Sequence, residues 1–221
     1  MFQLNPRQTI PAMAWLRRYL NWGGNHNNSR RVVLTGIGAI APNGIGRDAF
    51  WKALKEGRNA VDRISFFDPS NHPSQVAGEV RDFDPMAFFP VRKEIKRMGR
   101  SSQLAVAASQ LAISDAGLKL TPPLRRRMGV IIGTGAGGTE YAEEGFYSMK
   151  MGGVGKMRPF AAIAAFGGAL SSEVSRSLGF PGFSLTLSTG CTGSTDAMGI
   201  GMHKIRHGMA DILLAGGADA C

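Results

Sequence analysis

The chain has 221 residues, 43% of them hydrophobic, with 30 glycines and 19% charged residues, which is enough apolar material to bury the core of one or two domains. Two cysteines exclude a disulfide framework and point to a reducing, cytoplasmic setting, while no run approaches the roughly 18 uninterrupted apolar residues of a membrane-spanning helix. Lys and Arg outnumber Asp and Glu by 26 to 16, a formal charge of +10 that suits nucleic acid, an anionic membrane or an acidic protein without choosing among them.

Residues 1–29 stand apart from the rest of the chain. Pro6 and Pro11 interrupt the start, Trp15 to Leu20 has the pattern of one or two amphipathic turns, and Gly23 to Ser29 reads as a linker. The segment carries Arg but no acid and is expected to be a flexible extension rather than a transit peptide. The globular part is then 30–221. Its opening run, Arg31 to Ile40, is continuously apolar and predicts a buried strand. Pro42-Asn43-Gly44 predicts a turn, and Asp48 to Glu56 a helix stopped by Gly57. Scattered Pro, Asp and Asn from Arg58 to Pro90 predict loops and short elements. The Ala-rich stretch Ser101 to Ala116 predicts a helix stopped by Gly117.

Met128 to Gly133 predicts a second buried strand, followed by the glycine loop Gly133 to Gly138 and a polar, helix-compatible segment. A second glycine-rich loop spans Gly152 to Gly155, and an Ala-rich helix is expected from just after Phe160 to about Leu178. Ser184 to Ser188 alternates like a strand, a helix is expected to run to about Gly208, and Asp211 to Ala218 predicts a last strand. Strands alternating with helices predict an α/β domain with a largely parallel central sheet.

The turn Thr189-Gly190-Cys191-Thr192-Gly193-Ser194 joins the third of these strands to its helix. A residue there stands at a helix N-terminus, where unpaired N–H groups and the helix dipole favour negative charge. A thiol in that position ionises more readily and becomes a nucleophile, and the flanking glycines leave room for an electrophilic carbon. The same pattern also suits a small buried cysteine.

Two glycine stretches fit a dinucleotide fingerprint, Gly36-x-Gly38-x-x-Ala41 and Gly133-x-Gly135-x-x-Gly138. In the first, the Pro42-Asn43-Gly44 turn falls where the helix should run. The second lacks a following strand ending in an acid about 20 positions on. Tight packing of glycines between strand and helix explains both, although an NAD(P)-dependent reductase stays open as a rival from another class. His203 and His207 have the i, i+4 spacing that can share a metal, but no acidic third ligand is near, and Lys204 and Arg206 suit a solvated helix end. No metal and no organic cofactor is expected.

Taken together, RRVVLTGIGAIAPNG, RKEIKRMGR, GVIIGTGAGG, STGCTGSTDA and ADILLAGGADA resemble, in sequence and in order, the elongating condensing enzymes: the β-ketoacyl-[acyl-carrier-protein] synthases, with the thiolase-like layered fold. The likeness covers Arg31 to Cys221 and resembles the amino-terminal half of such an enzyme. It implies that Cys191 is acylated from an acyl carrier protein thioester, with its own backbone N–H as one oxyanion donor. Decarboxylative Claisen condensation with the malonyl-loaded carrier would follow, as in fatty acid biosynthesis. It also implies that two histidines and a lysine act from the absent carboxy-terminal half, so the chain alone is expected not to complete a condensation.

By the same resemblance Ala136 and Phe160 border the acyl site, and the small Ala136 leaves space for long or bulky chains. Lys93, Lys96, Arg97 and Lys156 match the basic patch that docks the acidic carrier, and Phe183 to Ser188 matches the strand that pairs across a homodimer axis. A nucleic-acid partner is disfavoured because the basic clusters lack interleaved aromatics. The segment FGGALSSEVSRSLGFPGFSLTLSTGCTGSTDA leans toward the type II polyketide ketosynthases. Two departures stand out: Gly99 where the family usually has Asp, and Phe166-Gly167-Gly168 where the fatty-acid branch usually has an Asn-containing turn. A non-catalytic carrier-binding fragment is a further reading.

Overall fold

The computed structural model describes residues 30–220; the predicted extension 1–29 and Cys221 lie outside the described residues. Its centre is the strand β5 (Met128–Gly133), all six residues of which are buried, numbering after the short strands β1 (Ile40–Ala41), β2 (Gly44–Ile45), β3 (Asp62–Arg63) and β4 (Val76–Ala77). Parallel strands β6 (Ser184–Leu187) and β7 (Ile212–Gly217) flank it in the order β6-β5-β7. The helices, in chain order, are α1 (Arg47–Lys55), α2 (Arg92–Arg97), α3 (Arg100–Asp115), α4 (Pro122–Arg125), α5 (Thr139–Gly152), α6 (Ala161–Ala165), α7 (Ala169–Leu178) and α8 (Gly193–Arg206).

The two-residue period of β5 divides the core. Met128, Val130 and Ile132 join Leu104, Val106, Leu170 and Val174 in one apolar cluster with α3 and α7. Ile131 turns the other way, toward α8, where a Cβ built on Gly201 would lie 3.9 Å from its Cδ1. The result is helices, sheet and helix in three layers, the arrangement that a strand buried on both faces requires. None of the helices among the described residues is long and apolar enough to cross a membrane.

The turn at Pro42-Asn43 forms, closing an antiparallel pairing of β1 with β2, and α1 ends before Gly57, which has φ 65°. Between Arg58 and Pro90 the short strands β3 and β4 pair antiparallel. Glu79 fastens this region. Burial alone would raise its carboxyl, but hydrogen bonds from the Ser65 hydroxyl, the amides of Phe66 and Ser65, and Arg81 bring it down to about 2.

Two expectations are corrected. Arg31 to Ile40 is not a buried strand: only Ile40 enters a strand, and Leu34 is 80% exposed. The run lies instead across α3, so close that a Cβ on Gly38 would sit 1.8 Å from the Ala108 carbonyl oxygen, and the Ile37 N–H donates to Asp115 Oδ2 at 2.8 Å. The helix expected between Phe160 and Leu178 is two helices, α6 and α7. Phe166 leaves the helical region (ψ 128°), and Gly167 and Gly168 carry the chain to a new start.

The departure at Gly99 has a physical counterpart. Helix α3 has Gly99 at its N-cap with no side chain to accept its first amides, and the cap comes from another helix: the Arg100 N–H donates to Glu140 Oε1 at 3.0 Å. A Cβ on Gly99 would approach that oxygen to 2.9 Å, so an acid at 99 and an acid at 140 compete for one place. Glu140→Ala is expected to lower the unfolding free energy by about 1 kcal/mol, the usual worth of an N-cap, measured by urea denaturation. Gly99→Asp alone should also destabilise, whereas Gly99→Asp with Glu140→Gln should recover most of the loss, giving a favourable coupling in the double-mutant cycle.

Candidate active site

The site is assembled at the carboxyl ends of the three parallel strands. Gly133 pairs with Leu187 in the β5–β6 register and with Gly217 in the β5–β7 register, and the Thr134 N–H donates to the Leu187 carbonyl at 2.9 Å. After Thr189 the chain reverses at Gly190, whose φ of 64° suits a residue without Cβ. It then makes a single 3-10 turn over Gly190–Thr192 and enters α8 at Gly193. Helix α8 begins hard against the central strand: a Cβ on Gly133 would fall 2.1 Å from the Gly193 carbonyl carbon.

Cys191 therefore stands on the turn between strand and helix, and it is exposed. The buried-cysteine alternative does not hold. No side-chain cap takes the first amides of α8. The acid of its first turn, Asp196, is engaged in a clasp around the turn. Its Oδ2 accepts the Thr189 hydroxyl at 2.6 Å and lies 2.8 Å from Thr192 Oγ1, which is also 3.0 Å from the Thr189 carbonyl oxygen. Hydrogen bonds from Thr189 and then Thr192 hold the Asp196 carboxyl below its ordinary value of 3.8. The base of β6 is fixed in the same way, by the Thr186 hydroxyl donating to Ser171 Oγ at 2.8 Å on α7.

The other expected site residues separate into two groups. Ala136 is half-buried on the Gly133–Gly138 loop, which touches the Cys191 turn: a Cβ on Gly135 would be in contact with Gly190 Cα at 3.7 Å. Phe160 is half-buried at the start of α6, with the Arg97 guanidinium 5.6 Å from its ring centroid. Lys93 and Lys96 on α2 and Lys156 in the turn after α5 are exposed. Arg97 differs from them. Its guanidinium is 3.4 Å from Glu173, which is 5% exposed, and Glu173 also holds Arg176 at 2.7 Å, itself paired to Glu94 at 3.2 Å. Arg97 is thus tied into an ion network joining α2 to α7.

The glycine fingerprints have structural explanations. Gly38 is pressed onto α3, and the amides of Gly135 and Ala136 are already hydrogen-bonded to the Asp219 carboxylate, where a dinucleotide would need them for its pyrophosphate. His203 and His207 are exposed, with ring centroids 6.4 Å apart and His207 Nδ1 against the His203 carbonyl at 2.7 Å. Sequence reasoning missed Asp196, Asp219 and Glu173. An acid in the first helical turn is a visible helix-start sign, but nothing local marks Asp219, which meets Thr134 across 85 positions.

An exposed cysteine at a strand-to-helix turn, above a buried parallel strand and inside a glycine collar, defines a thiolase-like α/β fold of the condensing-enzyme class. Solved structures agree: the ishigamide ketosynthase/chain length factor superposes with a TM-score of 0.79 at 34% identity, over 87% of this chain and 48% of that one. A type II polyketide synthase acyl-carrier protein in complex with its ketosynthase bound to the hexaketide gives 0.70 at 29%, over 87% and 47%. The family described as “Beta-ketoacyl synthase, N-terminal domain” matches residues 29–221, and the chain belongs to it. Among curated relatives, a chain of Streptomyces halstedii named for polyketide beta-ketoacyl synthase 1 is 41% identical over 198 residues, 87% of this chain and 47% of the relative. The 3-oxoacyl-[acyl-carrier-protein] synthase 2 of Synechocystis sp. is 36% identical over 191 residues, 86% and 46%. The chain thus spans about half the length of these relatives.

Two measurements check this geometry. Iodoacetamide should modify Cys191 in the folded protein, read by peptide mass spectrometry, and Cys191→Ser should lose that adduct. The Asp196 clasp contributes stability above the ordinary carboxylate value and loses it as pH falls through the lowered folded value. The urea midpoint should therefore drop more steeply with acid in the native protein than in Thr189→Val with Thr192→Val.

Proposed function

We propose that this chain is the amino-terminal half of a β-ketoacyl-[acyl-carrier-protein] synthase and that Cys191 is its acyl acceptor. The observation that carries the reading is the exposed sulfur on the turn between β6 and α8, with Gly190 and Gly193 keeping bulk away from it. Attack of Cys191 on a carrier thioester expels the carrier thiol and leaves the acyl group on the enzyme. The Cys191 backbone N–H faces the developing oxyanion, a donor worth ~3 kcal/mol in comparable sites. Decarboxylation of the malonyl-loaded carrier and attack of its carbanion on the acyl-enzyme complete the condensation. By the family resemblance, the two histidines and the lysine that assist decarboxylation belong to the carboxy-terminal half, which this chain does not span.

Fatty acid elongation and polyketide extension use this same chemistry. The 36% identical Synechocystis relative supports the first, while the 41% identical Streptomyces relative and the Phe166-Gly167-Gly168 break support the second. Lys93, Lys96 and Lys156 form the carrier-docking face, and Arg97 serves as its ion-paired footing. Strand β6 lies at a sheet edge with Ser184 and Leu185 exposed, which suits pairing across a homodimer axis. The low cysteine content suits the cytoplasm.

Incubation with an acyl carrier thioester should add one acyl group to Cys191, seen by intact mass, and none to Cys191→Ser. No condensation product is expected from the 221 residues alone. Lys93→Glu with Lys96→Glu should weaken carrier binding severalfold by fluorescence anisotropy, with the gap narrowing as salt rises; unchanged affinity would count against the docking face. Ala136→Phe should shift loading toward shorter acyl chains, and an unchanged chain-length profile would remove Ala136 from the acyl wall.

A further inference from the structure

The three residues after β7 grip the Gly133–Gly138 loop at every step. The Ala218 N–H donates to the Gly133 carbonyl at 3.1 Å. Asp219 Oδ1 accepts the Thr134 hydroxyl at 2.7 Å, the Gly135 N–H at 2.9 Å and the Ala136 N–H at 2.9 Å, with its Oδ2 3.1 Å from the Gly135 nitrogen. The Ala220 N–H donates to Ser101 Oγ at 3.2 Å, and that buried hydroxyl passes the bond on to the Gly137 carbonyl at 2.8 Å. Thr134 Oγ1 also accepts the Gly137 N–H at 2.8 Å, closing the loop on itself.

Successive amides converging on one point make an anion-binding nest, and here the nest is filled by the chain's own carboxylate. The loop so held is the wall against which the nucleophile turn rests, Gly135 against Gly190 and Gly133 against Gly193, and it carries Ala136. We infer that Asp219 is a positioning residue: an internal anion that sets the Gly133–Gly138 loop against the Cys191 turn and thereby governs which acyl groups Cys191 accepts. The inference deepens the ketosynthase reading and rests on it for its effect on acyl groups. The filled nest itself stands on the hydrogen bonds alone.

Asp219→Ala vacates the nest, and formate, the smallest carboxylate, is the probe for it. In the 221-residue protein, sodium formate should raise the melting temperature of Asp219→Ala but not of the native chain, with sodium chloride at equal ionic strength as control, because a ligand stabilises only the state that binds it. Acyl loading of Cys191 from the carrier thioester should fall roughly 10- to 100-fold, the scale of a small misplacement of a reacting group, with a broadened chain-length profile that formate narrows again. Alkylation of Cys191 by the small reagent iodoacetamide should change by less than about twofold on the same argument. A formate-insensitive Asp219→Ala overturns the inference, as does native loading rate and profile in that variant. Equal loss of alkylation and loading without formate rescue also overturns it, since that marks a merely structural role. Failure of the native chain to load at all would instead sink the ketosynthase reading, and the melting-temperature comparison still decides the nest.

Discussion

The approach of Gly133 to Gly193 is the contact on which the placement of Cys191 depends. Strand β5 is buried on both faces and cannot shift, so a helix that starts against its last residue inherits a fixed position. Any side chain on Gly133 would enter the backbone of Gly193, and the cost would fall on the turn that carries Cys191. Because all three strands of the sheet run parallel, their carboxyl ends lie together and bring three loops to one place. This is where ligand sites form in open α/β sheets. The Asp196 clasp steadies the turn from the helix side, and the Ala218–Ala220 grip steadies its wall from the strand side.

Charge in this protein has two separate uses. The excess of +10 suggests a uniformly basic surface, but Arg97 is shared with a buried Glu173 that also binds Arg176, and Arg176 reaches back to Glu94. A buried carboxylate without such partners would be costly; Arg176 satisfies Glu173 with a directed hydrogen bond at 2.7 Å, and the Arg97 guanidinium adds a second positive charge at 3.4 Å. This network locks α2 to α7 while Lys93 and Lys96, on the same short helix, remain exposed to solvent. One basic stretch of sequence is therefore divided between holding the fold and facing outward.

Much of the architecture is legible along the chain where neighbours in sequence are also neighbours in space. The apolar run Met128–Gly133, the Ala-rich α3 and the stops at Gly57 and Gly117 are local, and they stand where they were expected. The Arg31–Ile40 run misleads because continuous apolar content by itself specifies neither burial nor a strand partner, and Val33, Leu34 and Ile37 stay exposed. Gly36 and Gly38 let the run lie on α3, and only its last residue, Ile40, pairs with another strand. The break at Phe166-Gly167-Gly168 was hidden by the strong helix formers on either side, which outweigh two glycines in any window of that length.

Residue order alone established the α/β class, the buried central strand Met128–Gly133 and the turn that makes Cys191 the candidate nucleophile. The strand and the turn rest on spacing over a dozen positions or fewer, and the class on the order in which such local segments follow one another. Folding in three dimensions was needed to reveal that Asp219 fills the glycine loop, that Arg97 is an ion-paired strut and that Glu140 caps a distant helix. Those pairings join residues 40 to 85 positions apart, and a hydrogen bond across such a distance exists only once the sheet has brought its ends together.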